Sequence, residues 1–160
     1  WTYKKMNERN KISETGVKDK VWPPKIAEFI VSQKSEIMIP FSFMKPIPQA
    51  KQGPFFEIRT YHFAGGELPI IKKNWEAAID VRLEFGPVTA VWYCELGKVN
   101  TFQHIWPYES LNQREEIRKK AQATGMWPAG KKAIAEGGRD YELIAQENKI
   151  VMPSSFSPLQ

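Results

Sequence analysis

Phe55-Phe56-Glu57-Ile58-Arg59-Thr60-Tyr61-His62-Phe63 is a run of aromatic and β-branched residues interrupted only by single polar ones. Such a run suits a strand, and period-two geometry puts Phe56, Ile58 and Thr60 on one face and Glu57, Arg59 and Tyr61 on the other. Ala64-Gly65-Gly66 breaks it. Beyond the break, Leu68, Ile71, Trp75, Ala78, Ile79 and Arg82 recur at three-to-four spacing, which predicts an amphipathic helix ending near Gly86-Pro87, with Pro69 tolerated in its first turn. Val88 to Leu96 and Val99 to Tyr108 read as antiparallel strands joined by a tight hairpin at Gly97-Lys98. Ser110 caps a helix from about Leu111 to Thr124, Trp127-Pro128 opens a shorter one that Gly137-Gly138 ends, and Leu143 to Pro153 supplies the last strand. The order β-α-β-β-α-β predicts an α+β fold, a ferredoxin-like unit over residues 55–160. Its helices cover one face of the sheet, so the other needs a partner or a ligand. The face rich in Tyr61, Trp92, Phe102 and Trp106 is expected to be that second face, covered by another unit.

The chain also repeats itself. A shift of 105 places Trp1, Tyr3, Asn7, Arg9, Ile12, Trp22 and Pro23 on Trp106, Tyr108, Asn112, Arg114, Ile117, Trp127 and Pro128, well above the one or two identities expected by chance from about average residue usage. After extra residues near Glu136 to Leu143, a shift of 113 places Gln33, Ile37, Pro40, Ser42 and Phe43 on Gln146, Ile150, Pro153, Ser155 and Phe156. Residues 1–46 therefore read as the second half of a first unit: a strand end, two helical segments and a strand. By analogy about 51 residues of that unit would precede Trp1. Residues 47–54 read as a linker, because the prolines and the Gly-Pro step around them favour extended chain. The strand Glu36 to Phe43 must find a pairing edge, either in its own unit or in a neighbouring sheet, since a lone strand cannot satisfy its backbone.

Composition narrows the function class. The chain has 160 residues, 42% hydrophobic and 26% charged, which is ordinary for a globular protein. No apolar run approaches the roughly 18 residues of a membrane span, so an integral membrane segment is not expected. The single cysteine, Cys94, supports neither an internal disulfide nor a Cys-based metal site, and it reads as an inert buried thiol in a reducing compartment. Net charge is +5, but the lysines come in pairs with acids nearby, the pattern of a solvated surface and not of a nucleic-acid interface. Gly65-Gly66 lacks the spacing and lysine of a phosphate loop.

Phe56 to Tyr61, Glu95-Leu96-Gly97, His104 to Tyr108, Gln146-Glu147-Asn148 and Phe156 to Gln160 together resemble the NIPSNAP family. The resemblance covers 55–160 and, through Trp1 to Phe43, the second half of a preceding unit. It implies a dimeric α/β barrel, in which two ferredoxin-like sheets pack face to face as a homo-oligomer or as an intrachain pseudo-dimer. It implies a cytoplasmic protein if bacterial, or a mitochondrial matrix protein if eukaryotic. No settled enzymatic chemistry comes with the family, so the reading is a non-catalytic binding or scaffold protein, without a cofactor, that takes a protein partner or a small planar ligand. The rival, from barrel relatives, is a cofactorless or haem-using oxygenase or isomerase with its pocket between the two sheets.

The pocket candidates are Glu57, Arg59 and Tyr61, aimed at one space by strand parity, and His104, Trp106 and Tyr108, which share a face with Phe102. His104 would serve as a general base or a haem ligand, and the aromatic stripe would stack a planar ligand. The plainer reading is a cross-strand Glu57–Arg59 ion pair and a packed aromatic core. No catalytic residue is assigned. His62 lies on the opposite parity, and two histidines without Cys or carboxylates at ligand spacing carry no metal signature. Trp22-Pro23 and Trp127-Pro128 are expected to anchor helix starts against the sheet.

Overall fold

In the structure, a computed structural model, residues 1–20, 23–47 and 50–159 are described. Trp22 of the first helix anchor, and Pro48 and Gln49 of the linker, lie outside them. The chain divides into two units, Trp1–Ser35 and Glu36–Gln160.

The first unit holds α1 (Met6–Lys18) and a 3-10 turn, Ala27–Phe29. Adding 105 to the bounds of α1 gives Leu111 and Ala123, the bounds of a helix in the second unit. Trp1 and Tyr3 form no strand, although their repeat partners do.

The second unit contains β1 (Ile37–Pro40), β2 (Phe55–Phe63), α2 (Leu68–Leu83), β3 (Ala90–Leu96), β4 (Thr101–Tyr108), α3 (Leu111–Ala123), α4 (Ala129–Ala135) and β5 (Leu143–Val151). All neighbours in the sheet are antiparallel, in the order β1-β3-β4-β2-β5. Without β1 this is the ferredoxin-like order, with the first and third strands of the unit at its centre. Of the predicted stripe of α2, Ile71, Trp75, Ala78, Ile79 and Arg82 are buried and Leu68 is half-buried, with Asn74 buried beside them. Ser110 caps α3 by accepting the Gln113 amide at 3.1 Å.

β1 pairs with the outer edge of β3, Ile37 opposite Leu96 and Ile39 opposite Tyr93. The same pairing corrects the expected tight hairpin. β3 runs on to Leu96 with β1 as partner after β4 has let go at Tyr93–Phe102, so four residues, Gly97 to Asn100, are needed to turn back. Gly97 sits at φ 114°, and a Cβ there would lie 2.9 Å from Glu36 at the start of β1. Just past β1, Phe41 is 2% exposed, with its ring 6.2 Å from those of Trp75 and Tyr93. None of the helices among the described residues is long and apolar enough to cross a membrane.

Candidate ligand site

Pairing of β2 with β4 puts Glu57 opposite Trp106, Arg59 opposite His104 and Tyr61 opposite Phe102. With Tyr108, opposite Phe55, the six candidate residues lie on one face, as strand parity predicts. That face is the one the helices cover. Trp75 of α2 packs 4.8 Å from His104 and 6.4 Å from Trp106 between ring centroids, and Arg82 of α2 lies 4.1 Å over the Trp106 ring. Tyr61, Phe102 and Trp106 were expected on the helix-free face, and the structure corrects this: parity says which residues share a side, whereas the apolar stripe of α2 decides which side it covers. Trp92 is not with them. It donates to Gln103, which donates to Thr60, on the opposite face.

Glu57 is fully buried. Its Oε1 takes Arg114 Nη2 of α3 at 2.5 Å, while Arg59 Nη1 stands 3.8 Å away. The close ion pair therefore ties strand to helix and is not a cross-strand lock between Glu57 and Arg59, which are two residues apart on one strand. Its hydrogen bond to Glu57 raises the Arg114 pKa above its ordinary value. Arg82 donates to the Tyr108 hydroxyl at 3.4 Å and to the Gly86 carbonyl at 3.3 Å. Burial pushes the phenols of Tyr61, Tyr108 and Tyr141 up, so all three stay protonated at neutral pH.

His104 is 3% exposed. Trp106 Nε1–H donates to its Nδ1, which leaves the imidazole proton on Nε2. Among the described residues Nε2 has no partner, and neither does Nε of Arg59. Burial, and then the charges of Arg59, Arg82 and Arg118, hold His104 well below its ordinary pKa. The imidazole is thus a neutral donor whose one lone pair is already in use.

These groups form the floor of a cavity of about 300 Å³ between the sheet and the helices. Trp75, Trp106 and Trp127 supply aromatic wall, while exposed Gln122, Leu143 and Gln146 stand at its mouth. Among the six candidates, Arg59, Tyr61, His104, Trp106 and Tyr108 line it; Glu57 lies behind, with Arg114. Sequence reasoning missed Arg118 and Asp140 altogether, and took Trp75 and Arg82 only as helix stripe. A signal existed for α3: Arg114, Ile117, Arg118 and Ala121 fall at i, i+3, i+4 and i+7, so its inward face carries two arginines. The Asp140 carboxylate lies where a Cβ on Gly130 would sit, so a larger residue there would displace that exposed side chain.

Other chemistry-bearing residues stand apart. Cys94 is buried, its thiol held up by burial, and donates to the Leu96 carbonyl. His62 bonds Thr101 at 2.9 Å near the sheet end. The described residues include no group of three His, Cys, Asp or Glu able to hold a metal ion.

A family model described as NIPSNAP matches residues 56–158, from β2 to beyond β5. Protein NipSnap homolog 3A of Homo sapiens is 27% identical over 169 residues, covering 100% of this chain and 65% of that protein. Protein NipSnap homolog 1 of Danio rerio is 26% identical over 136 residues, covering 84% of this chain and 46% of that protein. The chain spans about half the length of the first of the curated relatives it matches. Among solved structures, a NIPSNAP family protein of unknown function from Agrobacterium tumefaciens is 32% identical with a TM-score of 0.57, covering 68% of this chain and 96% of that one. A second from the same organism is 26% identical with a TM-score of 0.57, covering 66% and 98%. The span matched by the family model contains every residue of the cavity, and the chain belongs to the NIPSNAP family.

Proposed function

We propose that this chain is a non-catalytic binding protein whose complete unit takes a small planar ligand in the cavity between sheet and helices. The observation that carries this reading is a polar floor left unfinished: buried His104 Nε2 and Arg59 Nε lack partners among the described residues in a space walled by tryptophan. A buried donor without an acceptor costs roughly 1–3 kcal/mol, and a ligand that supplies the acceptor recovers it. The same geometry weighs against the oxygenase or isomerase reading. A general base needs a free lone pair, and the Nδ1 lone pair of His104 is occupied by Trp106.

The test uses tryptophan fluorescence. Titration with 2-naphthoate and with its neutral isostere 2-naphthamide should give saturable quenching with at least one of the two. Linear, unsaturable quenching with both would overturn the binding reading.

Assembly belongs to the same reading, as a homo-oligomer or as a pseudo-dimer completed by a first unit, in a bacterial cytoplasm or a mitochondrial matrix. What supports it is the unequal fate of a repeated segment. Phe43 packs against the core after β1 docks on β3, whereas its repeat partner Phe156 is 89% exposed. Light scattering should find more than one copy per particle, and a strict monomer would remove the homo-oligomer.

A further inference from the structure

The unfinished groups that line the cavity are donors, while the one buried acceptor left without a partner among the described residues, Glu57 Oε2, lies behind the floor with Arg114. His104 Nε2–H and Arg59 Nε–H are donors, at 3% and 8% residue exposure. Arg118, half-buried on α3, makes no hydrogen bond or ion pair among the described residues. Arg82 is the third guanidinium on the wall, its carbon 4.1 Å from the centre of the Trp106 ring. The acids nearby answer them only in part, Arg59 Nη1 standing 3.8 Å from Glu57 Oε1. Glu57 Oε1 is taken by Arg114, and Asp140, on the exposed side, accepts from the Tyr141 amide at 2.8 Å. Three cations and an orphaned imidazole N–H thus face a space holding one carboxylate, and that one is near solvent. Burial and then the charge of Arg59 lower the Arg118 pKa, against the smaller opposing effect of Glu57.

Resting on the binding reading above, we propose that the ligand is an aromatic carboxylate, its anion turned inward to Arg59, Arg118 and His104 Nε2–H and its ring against the tryptophans. A planar carboxylate matches guanidinium forks and single N–H donors. A phosphate monoester brings up to two charges into a space of about 300 Å³ that already holds little water-exposed floor, and burying the second charge is costly. The neutral histidine supplies a directed hydrogen bond without adding charge.

The experiment compares 2-naphthoate, 2-naphthamide and 2-naphthyl phosphate by tryptophan quenching, with calorimetry as a second readout. A hydrogen bond to a charged group contributes about 1.5–3 kcal/mol, so the carboxylate should bind at least about tenfold more tightly than the amide. Arg118→Met should bring the two within about threefold by weakening the carboxylate alone. Equal binding of carboxylate and amide to the unaltered protein would overturn this inference and leave the binding reading standing. Failure of all three probes to saturate would overturn both, and tighter binding of the phosphate would overturn the carboxylate assignment. The comparison on the unaltered protein needs no variant to fold.

Discussion

Phe102 and His104 stand two residues apart on one strand and one face, each is at most 3% exposed, and both touch Trp75 and Tyr61, yet the rest of their surroundings differ. Phe102 lies among rings, 5.6 Å from Trp75, 6.2 Å from Phe63 and 6.3 Å from Phe41. Nothing there needs a hydrogen bond. Around His104 the neighbours include Arg59, Arg82 and Arg118, and polar atoms remain without partners. One end of the face is closed by contact alone, and the other is held open by groups that contact cannot satisfy. Burial therefore means stability at the first end, whereas at the second it leaves the unmet polar atoms on which the binding proposal rests.

The sharpest way to break this comparison is Phe102→Ala. Deleting a large ring from a filled core costs about 3–5 kcal/mol, read as a lower midpoint in urea. A change below about 1 kcal/mol would mean that the aromatic end is as loosely packed as the polar one. Next comes Glu57→Gln, which removes the countercharge of Arg114 from a fully buried position. Arg114 is a quarter exposed and regains some water, so the expected loss is about 2–3 kcal/mol, and Arg114→Met in the same chain should recover part of it.

A pH series sharpens the contrast further. The folded-state pKa of His104 is depressed below its ordinary 6.5, so above 6.5 both folded and unfolded chains carry it neutral and its full contribution to stability is present. As pH falls below that value only the unfolded chain takes up the proton, so stability drops by up to about 1.4 kcal/mol per pH unit until the folded pKa is reached. His104→Gln, whose side-chain oxygen can accept from Trp106, should flatten that part of the profile in denaturation measured from pH 7 downward. The smallest effect is expected from Arg118→Met, within about 0.5 kcal/mol of the unaltered chain, because no partner among the described residues is lost. A drop of 2 kcal/mol or more, on the order of a broken buried pair, would place Arg118 in the framework of the fold and not in the ligand site.

Much of the fold was legible because local rules govern it. Alternation in 55–63, the stripe from Leu68 to Arg82, the Ser110 cap and the final strand need only neighbours in sequence, and they fall where those patterns place them. The grouping of Glu57, Arg59 and Tyr61, and of His104 with Trp106, was legible for the same reason: period two fixes a shared side. The hairpin was misjudged because its length depends on β1, more than fifty residues upstream, which extends β3 past the end of its pairing with β4.

What the sequence by itself determined, then, is the set of elements and the residues that share a face, since both follow from backbone geometry within a few residues. The tertiary structure alone decided that this face lies under the helices and that Arg114 and Arg118 descend on it from α3. It also decided that Trp106 uses up the lone pair of His104 and that a space remains between them. Those facts depend on which apolar stripe covers which side of the sheet and on side chains brought together from far apart in the chain, and no local pattern encodes either.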